Sequence, residues 1–300
     1  MLSPVIAGVD GSPESLAAAE WAAREALRRD RPLRLVHVRD RHPRGHSGEP
    51  ANAAQRQPAP RALRQAVERM RSVVPDVLVT GEHVDGPATG ALLKAAERAD
   101  LLVLGSRGLS GFTGFLVGSV AQGVVARATR PVVLVRKGEE AEDEHVPAAG
   151  GAPSIRTGYL DVVLGIDLAD ACDEVIGFAF EEARSRRARL RVVSAWQPPS
   201  STSLGPGDIA LVDDPERAEE WQGFLHAVLA VWRDKYPESE VLETVVEGKA
   251  STALIRAASA ASLLVVGRRL PERPTVPRIG PVTHAPVHHV GCPLAVVPHA

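Results

Sequence analysis

The chain has 300 residues, 44% of them hydrophobic and 24% charged, with 35 Lys and Arg against 37 Asp and Glu for a formal net charge of −2. At about 150 residues per domain this is material for two domains, each apolar enough to bury a core, and it excludes extended disorder as the main state. No overall positive field draws polyanions, so nucleic acid is not an expected partner.

The N-terminus reads as a short buried strand near residues 4–9, and Asp10 interrupts that apolar run before a signal-peptide core can form. Ser12-Pro13-Glu14 then supplies an N-cap, a first-turn proline and an early acidic residue for a helix near 14–29. Further strands are expected near 33–38, 77–82, 101–104 and 132–135, with helices near 61–72, 87–98 and 119–128 between them. Short β-branched runs alternating with alanine-rich helices mean a parallel sheet covered on both faces. The longest apolar runs, Leu101 to Leu104 and Leu263 to Val266, are strand-sized, so no membrane span is expected and the chain reads as cytoplasmic. Cys172 and Cys292 are too few for a disulfide framework and lack paired zinc spacing, and both read as free thiols.

The sequence then repeats itself. Val5-Ile6-Ala7-Gly8-Val9-Asp10 matches Val162-Val163-Leu164-Gly165-Ile166-Asp167 at an offset of 157, as does Leu33-Arg34-Leu35-Val36-His37-Val38 with Leu190-Arg191-Val192-Val193-Ser194-Ala195. Farther on, Leu101-Leu102-Val103-Leu104-Gly105 matches Leu263-Leu264-Val265-Val266-Gly267 at an offset of 162. Two constant offsets on either side of one insertion are the trace of a tandem duplication. The expected architecture is therefore α/β: two tandem doubly wound, Rossmann-like domains, each with a five-stranded parallel sheet. Domain one covers 1–137, an acidic and then Pro/Gly/Ala-rich flexible linker 138–158, and domain two 159–300. The last strands, 132–135 and 294–297, are apolar and would pair as edges in an intramolecular pseudo-dimer. Two irregular stretches, 40–60 and 197–215, interrupt the corresponding positions of the two copies.

Open parallel sheets bind ligands beyond the carboxyl ends of their strands, where the strand order reverses. Asp10-Gly11-Ser12 follows the first strand directly. After the fourth come Gly105-Ser106-Arg107-Gly108, nine residues, and Gly118-Ser119 opening a helix. Glycines bring backbone amides close to a ligand, and a helix N-terminus offers unpaired N–H groups and partial positive charge, which together cradle phosphate. The pattern Gly, two residues, Gly, nine residues, Gly-Ser resembles the ATP-binding signature of the universal stress protein family. The Gly-Val-Asp-Gly-Ser start, the Leu-Val-His-Val second strand and the closing Arg-Pro-Val-Val-Leu-Val extend the likeness over nearly the whole first copy.

That resemblance implies a tandem, ATP-binding universal stress protein acting in stress response or signalling through nucleotide-dependent conformation. It implies that Asp10 contacts the nucleoside, that Val38 lies beside the adenine, and that Gly105, Gly108, Gly118 and Ser119 meet ribose and phosphates, with the Val120 amide following. The implied ligand is ATP, alone or with Mg2+, and the implied partners are an unidentified protein and, beyond the pseudo-dimer, a second chain.

The second copy reads Gly267-Arg268-Arg269-Leu270, nine residues, then Gly280-Pro281. Pro281 removes a hydroxyl and an N–H, and Leu270 adds strain wherever positive φ is required. Weak or absent nucleotide binding is expected there. No catalytic residues are assigned. Glu247-Gly248-Lys249-Ala250-Ser251 lacks the first glycine of a phosphate-binding loop, since Glu243 stands in its place, and reads as a helix start. His284, His288 and His289 are interrupted by Pro286, lack a third ligand, and are not assigned to a metal. Trp21, Trp196, Trp221 and Trp232 read as packing residues. Two alternatives stay open: a slow ATPase or autophosphorylating enzyme, and a scaffold whose site is vestigial.

Overall fold

A computed structural model describes residues 2–39, 59–106, 118–197, 215–270 and 280–300. The chain divides into two compact units, one built on Met1–Ala141, the other on Glu142–Arg269 with Gly280–His299. Among the described residues no helix is long and apolar enough to cross a membrane.

The first unit runs β1 (Val5–Gly8), α1 (Pro13–Arg28), β2 (Leu33–Arg39), α2 (Ala59–Val73), β3 (Val79–Asp85), α3 (Ala88–Ala96), β4 (Leu101–Ser106), α4 (Ser119–Val125) and β5 (Val132–Arg136). Its strands are parallel in the order β3-β2-β1-β4-β5, so the order reverses at β1 and β4. β1 and β4 are buried almost throughout because helices cover both of their faces. The first helix starts as its sequence demands: the Ser15 N–H donates to Ser12 Oγ at 3.2 Å, with Pro13 in the first turn. Its inner face is small and apolar, Ala18, Ala19, Ala22, Ala23 and Ala26 around Trp21, all fully buried. The third strand starts two residues later than the apolar run Val77-Leu78-Val79 suggests. It is the edge strand, bonded only to β2, and its exposed face takes Thr80 and Glu82.

The second unit repeats this plan with β6 (Asp161–Ile166), α5 (Asp173–Arg186), β7 (Leu190–Trp196), α6 (Pro215–Lys235), β8 (Val241–Glu247), α7 (Ala250–Ala257), β9 (Ala261–Arg269), α8 (Pro281–His289) and β10 (Leu294–His299). The parallel order is β8-β7-β6-β9-β10. The offset of 162 holds at the level of single contacts: Arg71 Nη2 donates to the Val79 carbonyl at 3.2 Å, and Arg233 Nη2 to that of Val241 at 3.5 Å. α5 and α6 meet through a stack the first unit lacks, Phe180, Trp232 and Tyr236, with ring centroids 5.4–6.2 Å apart.

The segment expected as a flexible linker is hydrogen-bonded along its length. A 3₁₀ turn over Ala141–Glu144 leads into an antiparallel bridge between His145 and Tyr159. The Val146 N–H donates to the Gly158 carbonyl at 2.8 Å, the Leu160 N–H to that of Glu144 at 2.9 Å, and Glu144 is buried. Pro, Gly and Ala supply only the tip, so composition hides the pairing on either side of it.

Candidate functional site

Asp10 lies at the strand-order reversal, just past β1. Its Oδ1 accepts from the Ser12 N–H at 2.9 Å and the Ser12 hydroxyl at 2.5 Å, and its own N–H donates to Ser15 Oγ at 3.3 Å. Desolvation alone would raise its pKa, but these hydrogen bonds outweigh it and hold the carboxyl below the ordinary 3.8. The residue is thus an Asx turn holding a charged carboxylate at the mouth of the sheet.

The glycines of the motif divide into different roles. A β-carbon on Gly105 would sit 2.6 Å from the Glu14 carbonyl group and 2.8 Å from the Ser15 nitrogen, so Gly105 is required for the close approach of α1 to β4. Gly118 has φ −59° and ψ 148°, open to any residue, and a β-carbon there would meet nothing within 4 Å. Neither backbone conformation nor packing against the described residues accounts for glycine at 118. It caps α4 without a side-chain bond, leaving the first N–H groups of the helix, from Ser119 and Val120 onward, without intrahelical partners. Ser119 is exposed, Val120 and Val38 are half-buried, and Gly108 falls outside the described residues.

In the second unit a cavity of about 630 Å³ opens at the carboxyl ends of the strands. Gly165, Asp167, Ala195, Gly267 and Thr283 line it, and at the two offsets these stand for Gly8, Asp10, Val38, Gly105 and Ala121 of the first unit. Of the residues expected at the first-unit site, Asp10, Val38, Gly105 and Val120 have second-unit counterparts in this lining, Asp167, Ala195, Gly267 and Val282. Asp167 keeps the turn, with Oδ1 accepting from the Ala169 N–H at 3.0 Å. Leu270 does not take positive φ, so the strain conditional on that geometry does not arise. Pro281 is accommodated as the first residue of α8, behind Gly280.

Sequence reasoning missed Lys249, Cys172 and His299, which also line this cavity. Lys249 is the N-cap of α7, where the first unit has Pro87; the helix start was legible, but its direction toward the cavity was not. Pro286 does not interrupt α8 as expected: the helix continues through it, and the His284 and His288 rings lie 4.4 Å apart. Among the described residues no three His, Cys, Asp or Glu side chains are grouped to hold a metal ion.

With this geometry in place, comparison with known proteins decides the family. The model of the universal stress protein family matches residues 1–136 and again 158–298. The chain belongs to the universal stress protein family. A universal stress protein of Mycobacterium tuberculosis is 30% identical over 279 residues, spanning 88% of this chain and 86% of that protein. One of Mycobacterium bovis is 29% identical over 299 residues, 97% of this chain and 96% of its own. In fold, a universal stress protein from Archaeoglobus fulgidus superposes with a TM-score of 0.63 at 14% identity, over 99% of this chain and 98% of that one. This tandem universal stress protein therefore shares its doubled α/β architecture with relatives over nearly its full length.

Proposed function

We propose that the first domain binds an adenine nucleotide, ATP in particular, and acts through nucleotide-dependent conformation in a cytoplasmic stress-response or signalling role. The observation that carries this reading is Gly118: a glycine that neither φ nor packing against the described residues requires, at the start of a helix whose first N–H groups have no intrahelical partners, in the spacing of the family's nucleotide signature. Asp10 supports it with a preformed carboxylate at the strand-order reversal. The matching cavity of the second domain, about 630 Å³, is of a size that takes a nucleotide. The second domain, with Pro281 in place of Ser119, binds ATP weakly or not at all in this reading.

Calorimetric titration of the full chain with ATP and Mg2+ tests the proposal. Ser119→Pro copies the second domain into the first and removes a hydroxyl and an N–H, a loss of about 1.5–3 kcal/mol or roughly 10- to 150-fold in Kd. Absence of any binding to the wild-type chain, or unchanged affinity in the variant, overturns the assignment. A long incubation assayed for ADP separates binding from slow hydrolysis.

A further inference from the structure

The second domain carries a cleft that the nucleotide reading does not use. It lies beside the end of β7 and the first turns of α6, with a volume of about 670 Å³. Leu168, Trp196, Trp221 and Phe224 form its walls, and Gln197, Arg217 and Glu220 give it polar groups. Farther along α6, Trp232 stacks with Phe180 of α5 and with Tyr236 just past the helix end. Among the described residues Trp196, Trp221 and Phe224 make no ring contact, and Phe224 stays 63% exposed. Among the described residues these three large aromatic side chains border a cleft, which forgoes stacking and, for Phe224, burial.

The first domain is an internal control for this feature. Its residues at the same offsets are Arg39, Ala59 and Ala62. Arg39 pairs with Asp85 at 3.0 Å, and Ala62 fits against Gly11, on which a β-carbon would lie 3.2 Å from it. The duplicated fold therefore does not need aromatic rings here; the second domain alone has acquired them.

We propose that this cleft binds a planar aromatic small molecule bearing a polar substituent, its ring against the Trp196 and Trp221 indoles and its substituent hydrogen-bonded among Gln197, Arg217 and Glu220. A small molecule is favoured over a protein because the cleft falls within the range of about 300–1,000 Å³ typical of ligand pockets, while a stable protein interface covers roughly 800 Å² per partner. Its described lining comes from the turn after β6, the end of β7 with Gln197 just past it, and α6.

Equilibrium dialysis of the full chain against 2-naphthol, with 2-decalol as the saturated counterpart of like polarity, tests the claim. 2-Naphthol binds, and 2-decalol binds about tenfold more weakly, the scale of lost ring stacking. Trp221→Ala and Phe224→Ala each weaken 2-naphthol about fivefold, and Val231→Ala, an exposed apolar residue of the same helix outside the cleft, leaves it unchanged. Phe224 is mostly exposed, so its variant keeps the fold, verified by circular dichroism. No binding of 2-naphthol, equal binding of 2-decalol, or indifference to both cleft variants overturns the proposal. Because every lining residue lies in the second domain, the outcome is independent of whether ATP binds the first.

Discussion

The α-carbon of Gly105 lies so close to the first turn of α1 that a β-carbon would be 2.6 Å from the carbonyl oxygen of Glu14. Gly105 and Gly118 belong to one sequence motif yet answer to different forces, which gives a clean separation by mutation. Gly105→Ala forces backbone against backbone and lowers stability by about 1–3 kcal/mol, seen as a lower urea midpoint. Gly118→Ala meets no atom of the described residues, so stability stays within about 0.5 kcal/mol while ATP affinity falls about tenfold or more. Equal behaviour of the two variants in both assays contradicts this division.

The sequence carried most of the frame. Ser12 and Pro13 announced the start of α1, the apolar runs located β1 and β4, and the offset of 162 relates residues, Arg71 and Arg233, whose contacts the structure shows to be alike. Less legible was anything set by packing across elements. Gly105 looks like a loop glycine until α1 is laid against it. Trp196 and Trp221 are 25 positions apart and read as core until the end of β7 is placed beside α6. Val77 and Leu78 resembled a strand because apolar character alone does not mark where an edge strand begins to pair.

His37 carries a pH dependence. It is 9% exposed, its Nδ1 has no hydrogen-bond partner among the described residues, and its ring meets that of His83 edge-on at 5.3 Å. Burial lowers its pKa below the ordinary 6.5, His83 and Arg39 add to this, and Asp10 opposes it. The folded state therefore binds fewer protons than the unfolded chain between the depressed folded value and 6.5. Stability from this residue is complete above 6.5 and is lost as pH falls through that window. Urea midpoints measured from pH 8 to pH 5 should fall more steeply for the wild type than for His37→Gln; parallel curves refute the assignment.

Cys172 faces the second-domain cavity, yet it is poorly placed as a nucleophile. Burial pushes its thiol from 9.0 up to about 11, with Glu174, Asp170 and Asp173 adding to the rise and a backbone hydrogen bond at Val175 opposing it. At pH 8 its thiolate fraction is about a hundredfold below that of an unperturbed thiol, since each pKa unit is tenfold. Alkylation by iodoacetamide, followed by mass spectrometry at this position, should be correspondingly slow and still rising at pH 10. A rate that levels off near pH 9 contradicts the shift.

The two domains share a buried ion pair whose removal should be costly and whose replacement should not. In the first, Glu25 is fully buried and pairs with Arg29 at 2.5 Å, which also reaches Asp100 at 2.6 Å. At the offset of 157, Glu182 pairs with Arg186 on α5, with side chains only 2% and 0% exposed. Taking both charges out of water offsets most of their attraction, so the pair contributes little net stability; removing the Glu182 carboxylate takes from the buried Arg186 its counter-charge while the bond to the Glu182 carbonyl remains. Glu182→Ala should therefore destabilise the protein by about 3–5 kcal/mol. Glu182→Leu combined with Arg186→Met fills the same space without charge and should recover to within about 1 kcal/mol of the wild type. Denaturant unfolding of the three proteins decides the matter: if the double variant is as unstable as the single one, the cost lies in lost volume and not in a stranded charge.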